Sequence, residues 1–137
     1  MAQPQERRAR WLAPALLAIG IAGCAAAWIL VATGTGDQNS WMAVVAGLDA
    51  GLLLRFSGVG RGAARTILAL GATALTIAVS NWGIAATQLG RSIGVLPWIS
   101  ATKLGPEHAW TVLALVNTPM DWTLLAIGLV AAVLAAR

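Results

Sequence analysis

Four apolar runs separated by short polar stretches set the pattern of this chain. The first runs from Trp11 to about Ala32, the second from Trp41 to Phe56, the third from Thr66 to Leu89 and the fourth from Pro119 to Ala136. A hydrocarbon core about 30 Å thick takes about 20 apolar residues per helical crossing, so each run reads as a membrane span. Two stretches between them, "TGTGDQNS" at 33–40 and "RFSGVGRGAAR" at 55–65, are rich in glycine and polar residues and read as turns.

From Gly90 to Asn117 the pattern breaks. The pieces "SIGVLPWIS" and "AWTVLALVN" are too short to cross alone, and "ATKLGPEH" divides them. Pro106 and Glu107 mark the start of a separate short helix over 106–116, expected at the outer interface. The last span has a clear beginning. Thr118 is a candidate N-cap, Pro119 takes the favoured first position, and Asp121 follows where a carboxylate complements the helix dipole. The expected fold is all-α, an integral membrane four-helix bundle in one domain over 1–137. Its spans are 11–32, 41–56, 66–89 and 119–136, with the interfacial helix between the third and fourth.

Composition agrees. Of 137 residues 58% are hydrophobic and 10% charged, and the mean hydropathy is +0.77, the profile of a membrane protein. The net charge of +4 belongs to the edges of apolar runs. Arg7, Arg8, Arg10, Arg55, Arg61, Arg65 and Arg137 fall on one side of a four-span chain, with Arg91 and Lys103 on the other. By the positive-inside rule both termini are cytoplasmic, as in a bacterial inner membrane. No basic face interleaved with aromatics suggests nucleic-acid binding. The run from Trp11 is longer than the core of a signal peptide, so it is expected to remain as the first helix. Cys24 is the only cysteine, which excludes an internal disulfide.

The chemistry within the spans is sparse. Asp49 lies eight residues past Trp41, about 12 Å along a helix. A carboxylate near the bilayer centre costs roughly 2.5 to 3.5 kcal/mol, so it calls for a partner or water. Asn81, eight residues before Leu89 on the oppositely running third span, reaches the same depth. Thr66, Thr73, Ser80 and Thr87 recur at seven-residue spacing with Thr76 beside them, a polar stripe facing something other than lipid. Asp49, Asn81, Ser80 and Thr76 therefore form a candidate intramembrane polar site, as glue between two spans, as a hydrated proton- or ion-conducting path, or as a ligand pocket.

"GLDAG" also places Gly47 and Gly51, extended by Ala43, on a helix-packing stripe. Asp49 stands about 200° from Gly47 around the helix and so addresses a different neighbour. Ala18, Ala22 and Ala26, with Gly23 and Ala27 beside them, allow similar close approach along the first span. Trp28, Trp41, Trp82, Trp98, Trp110 and Trp122 collect toward the outer side, as an aromatic belt or as the lining of an outer pocket.

His108 beside Glu107 is too little for a zinc site, which takes three or four ligands. No G-x-S-x-G, Walker or dinucleotide-binding pattern is present. Neither metal, cofactor nor catalytic residue is expected. The function expected is a small non-catalytic subunit, regulator or lipid-binding partner of a membrane assembly. Its partners are membrane lipid and another membrane protein or further copies of itself. The alternative is a small oligomeric proton- or cation-coupled transporter or channel using Asp49.

Overall fold

A computed structural model describes residues 4–137, and the side chains of residues 11–108, 110–112, 114–115 and 117–137. Six helices follow one another: α1 Pro4–Thr35, α2 Met42–Phe56, α3 Ala63–Ile93, α4 Pro97–Lys103, α5 Pro106–Val116 and α6 Pro119–Ala136. There is no strand among the described residues. Among the described residues three helices are long and apolar enough to cross a membrane: Trp11–Thr35 within α1, the whole of α3 and the whole of α6. At 15 residues, α2 is about 22 Å long, short of the length of a usual crossing. The side chains of Arg7, Arg8 and Arg10, which enter the charge bias, lie outside the described residues.

Two apolar clusters fix how the long helices run. Trp28 and Ala32 from the end of α1 pack with Met42 and Ala43 from the start of α2, Ile84 late in α3 and Leu125 early in α6. At the opposite end Ala13 of α1 meets Leu54 of α2, Ala69 of α3, and Ala132 and Ala136 of α6. Thus α1 and α3 point one way, and α2 and α6 point the other. The end holding Trp28 is called the outer end below, and the other the inner end.

The tightest contact is between the parallel helices α2 and α6. A Cβ added to Gly47 would strike the Gly128 carbonyl and come within 2.9 Å of the Ala132 nitrogen. One on Gly128 would lie 2.5 Å from the Ala43 carbonyl oxygen, and one on Gly51 would lie 2.9 Å from the Ala136 nitrogen. The stripe Ala43, Gly47, Gly51 thus meets Gly128, Ala132 and Ala136 at matched four-residue spacing, backbone against backbone. Between membrane helices there is little hydrophobic driving force, and such van der Waals contact is what holds them.

The third helix is longer at both ends than its apolar run. It continues through Gly90, Arg91 and Ser92 because none of these ends a helix, and it stops at Gly94, whose φ of 72° is the left-handed cap that glycine adopts readily. The chain then turns back as α4, an element that the sequence pattern did not reveal. Gly90 makes room, since a Cβ there would come within 2.7 Å of the Val95 carbonyl oxygen. Ser100 donates to the Ala86 carbonyl, and the Trp82 indole donates to the Ala101 carbonyl at 3.2 Å. Leu104, Ala85, Trp82 and Val112 close the packing between α3 and the α4–α5 segment.

Candidate functional site

Asp49 is the middle residue of α2. Beside it, Gly20, Gly23, Cys24 and Ala27 of α1 and Met42 and Val45 of α2 line a groove with a volume of about 330 Å³. The wall is almost wholly apolar, the carboxylate and the Cys24 thiol being its polar side chains. Asp49 is half-buried, and among the described residues no hydrogen bond or ion pair reaches its carboxylate. The packing of α2 explains its direction. With Gly47 and Gly51 turned to α6, helical geometry turns Asp49 to the other side.

No hydrogen bond joins Asp49 to Asn81, Ser80 or Thr76. The stripe on α3 instead serves its own helix. Thr73 donates to Ala69 at 2.8 Å, Thr76 to Ala72 at 2.8 Å, Asn81 to Ile77 at 2.8 Å and Thr87 to Gly83 at 2.8 Å. Hydroxyl and amide groups in membrane helices commonly bond the carbonyl one turn back in this way. Ser80 is fully buried, and its Oγ has no partner among the described residues.

The outer end carries the most elaborate polar arrangement. Asp121 and Thr118 form a reciprocal capping box: the Thr118 N–H donates to Asp121 Oδ2 at 2.8 Å, and the Asp121 N–H donates to Thr118 Oγ1 at 3.3 Å. Ser40, from the α1–α2 connection, adds a bond to Asp121 Oδ1 at 2.8 Å. That third partner ties the start of α6 to the start of α2. Trp28 is wholly buried, and its indole donates to the Gln38 carbonyl at 2.8 Å, which holds the same connection onto α1. Asp37, Gln38, Gln88, Thr118 and Asp121 border an open outer cavity of about 400 Å³.

The candidate pocket tryptophans are spread over several sites. Trp110 and Trp122 meet at a tilt of 53° with ring centres 6.2 Å apart, while Trp41 bonds Asn39 at 3.1 Å and Trp98 is exposed. Trp82 lines a lateral apolar cavity of about 400 Å³ with Ile29, Val79 and Ala101.

At the inner end the arginines meet the last carbonyls of α6. Arg65 is buried and donates to Ala136 and, at 3.3 Å, to Val59, while Arg55 donates to Arg137. Cations at a helix C-terminus satisfy its unpaired carbonyls and complement its dipole. At the outer end Arg91 donates to the Thr33 carbonyl near the end of α1, at 3.1 Å.

Sequence reasoning missed Gly128, Ser100 and the Ser40–Asp121 bond. Gly128 could have been found from the small-residue repeat Gly128, Ala132, Ala136 in α6. Ser40 and Ser100 depend on tertiary contacts and leave no local pattern. Among the described residues no group of three His, Cys, Asp or Glu side chains is placed to share a metal ion. No family model, curated protein or solved structure matches this chain.

Proposed function

We propose that this chain is a non-catalytic subunit or regulator of a membrane assembly in a bacterial inner membrane. In this reading it crosses as four helices with both termini cytoplasmic, and α5 lies at the outer face. The short α2 counts as a crossing because it runs alongside α6 from end to end, the bilayer adapting to it by local thinning. The cytoplasmic assignment of the inner end rests on Arg55, Arg61, Arg65 and Arg137 gathering there.

The observation that carries the proposal is the groove at Asp49. A membrane carboxylate is costly without a counter-charge, a hydrogen-bond donor or water, and the described part of the chain supplies neither ion pair nor hydrogen bond. The groove is shallow and apolar, better suited to a neighbouring helix than to a polar solute. The remaining surface fits lipid, with Ile19, Leu30, Ile67, Leu75, Val130 and Leu134 all exposed. A proton or cation path has less support, because Thr73, Thr76, Asn81 and Thr87 of the α3 stripe are spent on their own backbone, which leaves Ser80 alone without a partner among the described residues.

Native mass spectrometry of the full chain, extracted from its own membranes in mild detergent, tests the proposal. The expected result is a complex of fixed stoichiometry with another membrane protein or with further copies. A lone protomer, with lipid but no other chain, would count against it.

A further inference from the structure

We infer that the groove between α1 and α2 receives a transmembrane helix of a different protein, and that this helix carries a Lys or Arg level with Asp49. The inference rests on the subunit reading and names the chemistry of the partner.

The first step is that the groove is open. The residues that line it all belong to α1 and α2, so no described residue of α3 to α6 borders this face. At Gly23 a Cβ would meet nothing within 4 Å. Gly20 already faces Leu53 of α2, but Gly23, Cys24 and Ala27 follow it along the same side of α1 and give a second helix a smooth surface to approach closely.

The second step is charge complementarity. Asp49 sits six residues from Arg55 and eight from Trp41, or about 9 and 12 Å from the two ends of α2. A lipid headgroup at either interface is therefore too distant to pair with it. The nine basic residues of the chain all lie outside the middles of its helices. Arg55, Arg65 and Arg91 are engaged with helix-end carbonyls. A second copy docked groove to groove would set another Asp49 against this one, and none of its nine basic residues lies at that depth to pair with either. A foreign helix with one basic residue satisfies the carboxylate and is itself relieved of an unpaired charge in the membrane, and this reciprocity selects the partner.

The test uses the full chain, fluorescently tagged at its C-terminus, in phosphatidylcholine nanodiscs. The probes are synthetic Leu/Ala transmembrane helices with Lys, Leu or Glu at the centre, and energy transfer reports association. The Lys probe is expected to associate at least tenfold more tightly than the Leu and Glu probes. Asp49→Asn should bring it down to the Leu level, while Asp49→Glu retains most of the preference. Gly23→Leu fills the open groove and should weaken Lys-probe association, whereas Gly71→Leu, on an exposed face of α3 with nothing within 4 Å, should not.

Equal association of the Lys and Leu probes would overturn the inference, as would a Lys preference that survives Asp49→Asn. If association is independent of charge but lost in Gly23→Leu, the cation is wrong and the subunit reading stands. A homo-oligomer that Gly23→Leu dissociates would likewise replace the foreign partner with a second copy. If no probe associates and native mass spectrometry finds a lone protomer, both readings fall.

Discussion

On one side of α2, Gly47 and Gly51 lie against the backbone of α6; on the other, Asp49 and Val45 border a groove that no described residue fills. Both surfaces are built on small residues, and by sequence they look alike. What separates them is the partner helix. Gly128, Ala132 and Ala136 repeat the four-residue step of α2 and can interlock with it. The α1 side of the groove has small residues too, but at Gly20 it meets only side chains of α2, a Cβ there striking Leu53 and lying 3.0 Å from Asp49 Oδ2, and over Gly23 there is open space. A small-residue stripe thus closes inside the chain when a second stripe of equal spacing runs parallel to it, and otherwise remains available to something outside.

The comparison breaks most sharply if the closed side is forced open. Gly47→Leu would drive a side chain into the Gly128 carbonyl, and with backbone on both sides no rotamer avoids it. Overpacking of this kind should destabilise the isolated chain by about 3 kcal/mol or more, seen as a large fall in thermal midpoint in detergent by tryptophan fluorescence. Gly128→Leu should do the same, since it meets the Ala43 carbonyl from the other helix. An unchanged midpoint for both would mean that the α2–α6 seam is absent in the membrane-extracted protein.

The two carboxylates extend the contrast. Asp121 accepts bonds from Ser40 and from the Thr118 backbone and hydroxyl, while Asp49 accepts none among the described residues. Asp121→Ala removes an N-terminal capping box and strands the buried Ser40 hydroxyl, together about 2 kcal/mol of stability. Asp49→Ala should leave the isolated chain as stable as before, or more so, because it removes a half-buried carboxyl that has no partner among the described residues. A drop at Asp49 matching that at Asp121 would reveal an internal partner for Asp49 and close the groove to the proposed helix.

Gly23→Leu is the counterpart of Gly47→Leu. The residue type and helical setting are the same, yet the new side chain enters open space. The isolated chain should hold its stability or gain up to about 1 kcal/mol, since glycine is a poor helix former. Thermal midpoints of the two leucine variants measured side by side are the direct comparison. Equal losses would show that α1 and α2 are closer than the groove allows.

Much of this contrast was legible in the sequence. Ala43, Gly47 and Gly51 stood out by four-residue spacing, and Asp49 by its angle to them, because both depend only on the helical repeat. The start of α6 was legible because Thr118, Pro119 and Asp121 act within one turn. Which neighbour each face would meet was not, since that depends on the order of helices around the core. Matching Asp49 with Asn81 by depth alone assumed that equal depth means contact, whereas Asn81 turns to the Ile77 carbonyl of its own helix. The α4 helix was hidden because its seven residues are stabilised by Ser100 and Trp82 reaching across to another element, not by a periodic pattern of their own.

The smallest expected effect bears on whether α3 contributes a wet path beside the groove. Ser80 is fully buried, and its hydroxyl has no partner among the described residues, while Thr73 and Thr76 nearby bond their own helix. A dry, packed stripe predicts that Ser80→Ala changes stability by no more than about 0.5 kcal/mol and leans toward stabilising, because an unpaired buried hydroxyl is removed. Thr76→Val should also cost little, since its bond is to a carbonyl of its own helix that already serves the helical ladder. A hydrated stripe predicts the opposite sign at Ser80: the hydroxyl would hold water in a chain of bonds, and its loss would lower the thermal midpoint. Destabilisation by Ser80→Ala would move the functional weight from the α1–α2 groove to α3 and revive Asp49 as a proton or cation group.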